Sequence, residues 1–179
     1  MIVYDFNTLN ALAKRNSWDY SFSDGRPYFM KNGQYATPTT KTSYSDKEML
    51  AEIISEGSKE MKKLILTCWE NNIKISGPCS GIKEFHDKPP YYLHFTFIGQ
   101  IDLIASILEN LKEIFTQTTA NQNNPYYSHM MRENSNDEYR YDFSYILNGK
   151  ELTKEEAEFI FSKINNVLEA LLSKKSKTH

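Results

Sequence analysis

Apolar residues alternate with polar ones most clearly over 91–98, Tyr-Tyr-Leu-His-Phe-Thr-Phe-Ile. Tyr91, Leu93, Phe95 and Phe97 point one way and Tyr92, His94, Thr96 and Ile98 the other, which predicts a strand with one packed side. The same period appears over 126–132 and 139–147, joined by the turn-rich Asn134-Ser135-Asn136-Asp137. Ile73-Lys74-Ile75-Ser76 is a shorter version.

Between these runs the period changes to that of a helix. Ile101, Ile104, Ile107, Leu108, Leu111, Ile114 and Phe115 form one stripe, predicting a helix over 101–116. Ala157, Ile160, Phe161, Ile164, Val167, Leu168 and Leu171 form another after Thr153-Lys154-Glu155-Glu156, a capping-box pattern. A third stripe, Leu50 to Cys68, follows Ser45-Asp46-Lys47-Glu48 and predicts one helix running to about Asn71, with Gly57 on its buried face. Phe6, Leu9, Leu12 and Ala13 predict a short first helix. Asn32-Gly33, flanked by Tyr28-Phe29-Met30 and Gln34-Tyr35-Ala36, predicts a small hairpin.

From Ile73 onward the order is strand, strand, helix, taken twice. The predicted fold class is α+β: a two-layer arrangement with an antiparallel sheet from ββα-ββα, helices on one face, and an N-terminal helix and small hairpin added. The chain of 179 residues reads as a single domain, with an N-terminal wrap over 1–44, a core over 45–173 and a basic tail over 174–179. A chain of this length buries enough surface to need no staple.

Composition narrows the function classes by exclusion. The net charge is −2, so the overall balance offers no support for gripping phosphates, and nucleic acid is not the expected partner. Two cysteines make no disulfide framework and read as free thiols of a reducing compartment. No apolar run reaches the length of a membrane span, and the first residues lack a signal-peptide pattern. A cytoplasmic location is expected, and delivery into another cell by a non-classical signal is compatible with it. Tyrosine (12) and phenylalanine (10) outnumber glycine (7), which suits strands and also binding faces.

The candidate chemistry centres on Gly77-Pro78-Cys79-Ser80-Gly81, read as a tight loop. Exposed amides in such a loop bind anions, and a thiol there becomes a nucleophile when a base or cation lowers its pKa. Cys79, His94 and Asp87 make a conceivable nucleophile, base and orienting carboxylate. A turn with a small residue tucked under it explains the same string. The string Ser76-Gly77-Pro78-Cys79-Ser80-Gly81 resembles the Ser-x-Ser-Cys-Ser-Gly-Arg segment of the methyltransferase family of tRNA wybutosine synthesis. Pro78 replaces its serine and Ile82 its basic residue, and no function is carried over.

Cys68, Cys79, His86 and His94 are separated by ten, six and seven intervening residues, unlike structural zinc ligands, so no metal is expected. No glycine-rich phosphate loop occurs, and no cofactor is expected. Tyr92, His94 and Thr96 share a strand side, as do Tyr127 and His129, and Arg140, Asp142 and Ser144. If these sides coincide they form a polar, aromatic surface; Trp18 and Tyr35 are added as anchors. A solvated sheet face gives the same pattern. The preferred expectation is a small binding or regulatory module whose partner is another protein. The alternatives are a cysteine-dependent enzyme using Cys79 and a nucleic-acid accessory protein. Accessory proteins of bacteria and phages share so sparse a motif content.

Overall fold

The computed structural model describes residues 5–23, 25–81, 92–119, 126–132, 137–146 and 152–175. In chain order the elements are α1 (Phe6–Asn16), β1 (Asp19–Ser23), β2 (Arg26–Lys31), β3 (Gln34–Tyr35), α2 (Tyr44–Ile54), α3 (Lys59–Glu70), β4 (Lys74–Cys79), β5 (Tyr92–Gln100), α4 (Ile101–Thr119), β6 (Tyr126–Arg132), β7 (Glu138–Ile146) and α5 (Lys154–Lys175). The class is α+β. Strands β4-β5-β7-β6 form a four-stranded sheet and β1-β2-β3 a three-stranded one, all neighbours antiparallel.

The alternation in β5 and β7 becomes two faces. Leu93, Phe95 and Phe97 of β5 and Tyr141, Phe143 and Tyr145 of β7 are buried in one cluster with Ile75. The stripes of α3, α4 and α5 cover this inner face through Leu64, Ile65, Ile104, Leu111, Phe115, Phe161, Ile164 and Leu168. Phe95 and Phe97 lie 4.8 Å apart, and Phe115 of α4 lies 4.9 Å from Phe143, spacings typical of favourable ring pairs. Helix α5 starts as its sequence predicts. The Thr153 hydroxyl accepts from the Glu156 amide (3.1 Å), and the Glu156 carboxylate accepts from the Thr153 amide (2.8 Å).

A second, smaller cluster belongs to the N-terminal part. Leu9, Leu12, Ala13, Trp18, Phe29, Ala36, Leu50 and Ile53 bury one another, with Ile54 and Trp69 touching both clusters. Asp46 at the start of α2 accepts from Arg15 (2.6 Å) and Asn16 (2.8 Å), tying it to the end of α1. The hairpin turn forms where Asn32 and Gly33 adopt φ of 52° and 76°, the left-handed pair that a tight antiparallel turn requires.

Four expectations need correction. The helix predicted to run unbroken to Asn71 is two helices, α2 and α3, separated by an elbow at Ser55–Ser58. Glu56 and Gly57 take φ of 54° and 77°, which ends α2, and Ser58 caps α3 by accepting from the Met61 amide (3.0 Å). The cap of α2 is Ser43, bonded to the Asp46 amide, two residues before the serine the sequence pattern favours. The string 77–81 is no free loop: β4 continues through Cys79, with a register shift between Ser76 and Cys79. The hairpin also gains a third strand, β1, the short run Asp19–Ser23 paired antiparallel with β2.

Candidate functional site

The antiparallel register stacks the outward residues of the four-stranded sheet into rungs. Cys79, His94 and Ser144 are successive partners, with Tyr127 next in register. Ser76, Thr96 and Asp142 form the next rung, with His129 opposite Asp142. Lys74, Ile98 and Arg140 form the third. Directly opposed residues of an antiparallel pair lie on one face, so the side chains of the β4, β5 and β7 partners are neighbours by construction. Three residue steps of β4 (Ser76 to Cys79) match two of β5 (Thr96 to His94), and this bulge keeps Cys79 in line with His94. Gly77, at φ 54°, lies against the imidazole: a methyl placed there would sit 3.8 Å from His94 Cδ2.

Ser144, His94, Thr96, Asp142 and Arg140 form one hydrogen-bonded chain across the rungs. Ser144 Oγ lies 2.7 Å from His94 Nδ1, and His94 Nε2 lies 3.0 Å from Thr96 Oγ1. Thr96 donates to Asp142 Oδ1 at 2.6 Å, and Arg140 Nε donates to both Asp142 oxygens at 2.9 and 3.1 Å. Thr96 is fully buried, while His94, Asp142, Ser144 and Arg140 are half-buried. Burial holds the His94 imidazole below its usual pKa; the Asp142 charge opposes this and the Arg140 charge adds to it.

Beside this face runs a groove of about 270 Å³. Met30, Gln34 and Tyr35 of the hairpin form one wall, and Lys74, Ile98, Glu138 and Arg140 of the sheet the other. Lys74 Nζ bridges to Glu138 at 2.7 Å. Tyr35 also lines a second, tighter cavity of about 30 Å³ with Arg26, Tyr28, Glu56 and Pro78. There the Arg26 guanidinium lies 5.7 Å from the Tyr28 ring centre and pairs with the buried Glu56. Glu56 also accepts from the Ser80 amide (3.1 Å) and hydroxyl. One buried carboxylate thus joins the elbow, the hairpin and the end of β4, and each of its bonds makes up for water lost on burial.

The sequence candidates divide accordingly. His94, Thr96, Asp142 and Arg140 are brought together in one bonded network, and Tyr35 stands at the groove beside Arg140. Cys79 sits opposite His94, but burial pushes its thiol up; a hydrogen bond from the Gly81 backbone and the charge of Arg26 oppose that shift without reversing it. Cys68 is fully buried and its thiol is pushed far up. Trp18, expected as an exposed anchor, is only 6% exposed and packs 6.1 Å from Phe29 in the N-terminal cluster. Asp87 lies outside the described residues, as does His86. Tyr92 and His129 hold their register positions opposite Ile146 and Asp142. The joint role of Glu56, Arg26 and Ser80 has no local sign in the sequence; the polar string Ser55-Glu56-Gly57-Ser58 marks only the break in the apolar stripe.

Among the described residues no group of three or more metal-ligating side chains converges, and no helix is long and apolar enough to cross a membrane. No family model matches the chain, and neither a curated protein nor a solved structure is found that resembles it.

Proposed function

We propose that this chain is a binding or regulatory module that takes hold of a protein partner at the groove between the β2–β3 hairpin and the outer face of the sheet. The observation that carries this reading is the groove itself. It combines an aromatic anchor (Tyr35), flexible and branched apolar walls (Met30, Ile98) and charged ends (Lys74, Glu138, Arg140). Aromatic and arginine side chains around a recess supply most of the energy of protein recognition. The flanking network holds Arg140 in place through Asp142, so a partner meets a preorganised surface.

The test is a photo-reactive residue in place of Gln34, introduced into the full chain and activated in its native host. The expected result is one discrete protein adduct that weakens at least tenfold with Arg140→Glu or Tyr35→Ala. An adduct unaffected by both changes, or no adduct, overturns the reading. The cysteine-enzyme alternative rests on the Cys79–His94 register alone, and its thiol is held protonated by burial. A nucleic-acid partner would instead show binding that falls steeply with salt.

A further inference from the structure

The direction of every proton in the outer-face network follows from one end. Asp142, paired with Arg140, only accepts hydrogen bonds. Thr96 has a single hydroxyl hydrogen, and it goes to Asp142 at 2.6 Å. Thr96 therefore has only lone pairs for His94, so Nε2 carries the imidazole proton and donates across 3.0 Å. In the neutral ring Nδ1 is then the bare nitrogen, and Ser144, 2.7 Å away, donates its O–H to it. A serine hydroxyl thus faces the basic nitrogen of an imidazole whose other side is polarised, through one threonine, by a carboxylate held by arginine. A nucleophile, a base and an orienting acid linked in this order activate a hydroxyl. Both reacting residues are cross-strand partners on the central strands, so their separation is fixed by the sheet. Ser144 is half-buried, within reach of a small reagent.

We propose that Ser144 is a nucleophilic residue that accepts an acyl group from an activated acyl donor, a thioester or aryl ester, with His94 as base and Thr96, Asp142 and Arg140 as positioning residues. In the step, Ser144 Oγ bonds to the acyl carbon as the carbon–sulfur or carbon–aryloxide bond breaks. The hydroxyl proton passes to His94 Nδ1 and then to the departing thiolate or phenolate. The sum is an ester on Ser144 and a free thiol or phenol, with no change of oxidation state. Donors with a good leaving group are the class that a positioned base can serve by itself. This activity is independent of the groove: acylation does not require a protein partner.

The experiment treats the full chain with a fluorophosphonate and, separately, with p-nitrophenyl acetate, and maps the adduct by peptide mass spectrometry. One equivalent of label on Ser144 is expected, with p-nitrophenolate release that rises with pH as His94 loses its proton and then levels. Ser144→Ala should remove the adduct. Thr96→Val, which cuts the link to Asp142 while leaving Ser144 and His94 in place, should slow labelling about 10²-fold, the lower end of a general base's contribution. A circular-dichroism melt identifies any variant that fails to fold, and the adduct site on the unmutated chain decides without the variants. No adduct, label on another residue, or a Thr96→Val rate equal to that of the unmutated chain overturns the proposal.

Discussion

The two faces of the four-stranded sheet are made from the same strands and held by different physics. On the inner face Leu93, Phe95, Phe97, Tyr141 and Phe143 are wholly buried against helices, and their attraction has little preferred direction. On the outer face Ser144, His94, Thr96, Asp142 and Arg140 are joined by bonds that each have a donor and an acceptor. Packing responds to a lost atom by partial collapse. A bonded chain responds by taking one hydrogen bond from each neighbour of the missing group. The inner face therefore sets how stable the fold is, and the outer face sets where protons and charges stand.

The largest expected effect is on the inner face. Phe95→Ala should lower stability by about 3–5 kcal/mol in urea titration, the usual cost of emptying a buried phenylalanine site. A loss below about 1 kcal/mol would show that the two faces do not differ as described. Thr96→Val keeps the volume and deletes the central hydroxyl. It should cost about 1–3 kcal/mol because His94 Nε2 and Asp142 Oδ1 both lose a partner in a buried setting. In combination with Asp142→Ala the losses should fall short of their sum, since both remove the same bond.

Acid separates the faces by another route. The folded chain holds His94 below its ordinary value of 6.5, so the unfolded chain binds that proton more readily. Stability from this group is full above about pH 6.5 and is lost as pH falls through the folded value. Asp46, held low first by its bond with Arg15, adds a second loss at more acid pH, below its ordinary 3.8. Thermal melts from pH 8 to pH 2 should show two descending steps, and His94→Gln should remove the upper one. The smallest effect is at the sheet margin. Lys74→Ala breaks a pair with Glu138 whose lysine is 46% exposed, and it should cost about 0.2–1 kcal/mol, less at high salt.

What the sequence shows and what it conceals follow the same division. Strands β5 and β7 and helices α4 and α5 are plain from periodicity because each buries a regular stripe in one core. The elbow at Ser55–Ser58 escapes the same reasoning. Helices α2 and α3 both turn apolar residues inward, so the stripe carries on across the break, and only Gly57 and the flanking polar residues mark it. The bulge in β4 is hidden for a related reason: Gly77 and Pro78 have loop composition, yet the strand pairs on either side of them. The coincidence of His94, Thr96, Asp142 and Arg140 on one face follows from alternation once the pairing of β5 with β7 is known. The role of Glu56 has no such local sign, because Arg26 and Ser80 come to it from 30 residues before and 24 after. Trp18 misleads as an anchor because a large aromatic beside polar residues reads equally as surface or core, and Phe29 and the first helix enclose it.

The start of α3 carries a consequence for how the chain is made. The amides of Lys59 and Glu60 donate to the carboxylate of Glu158 in α5, at 3.0 and 2.9 Å, and Asn165 donates to the Glu60 carbonyl at 2.9 Å. The groups that finish this helix end stand 99 and 105 residues later in the sequence. On the ribosome, the elbow emerges long before its closing carboxylate exists, so in a nascent chain halted ahead of Glu158 the amides of Lys59 and Glu60 are left to water while Ser58 can still cap Met61.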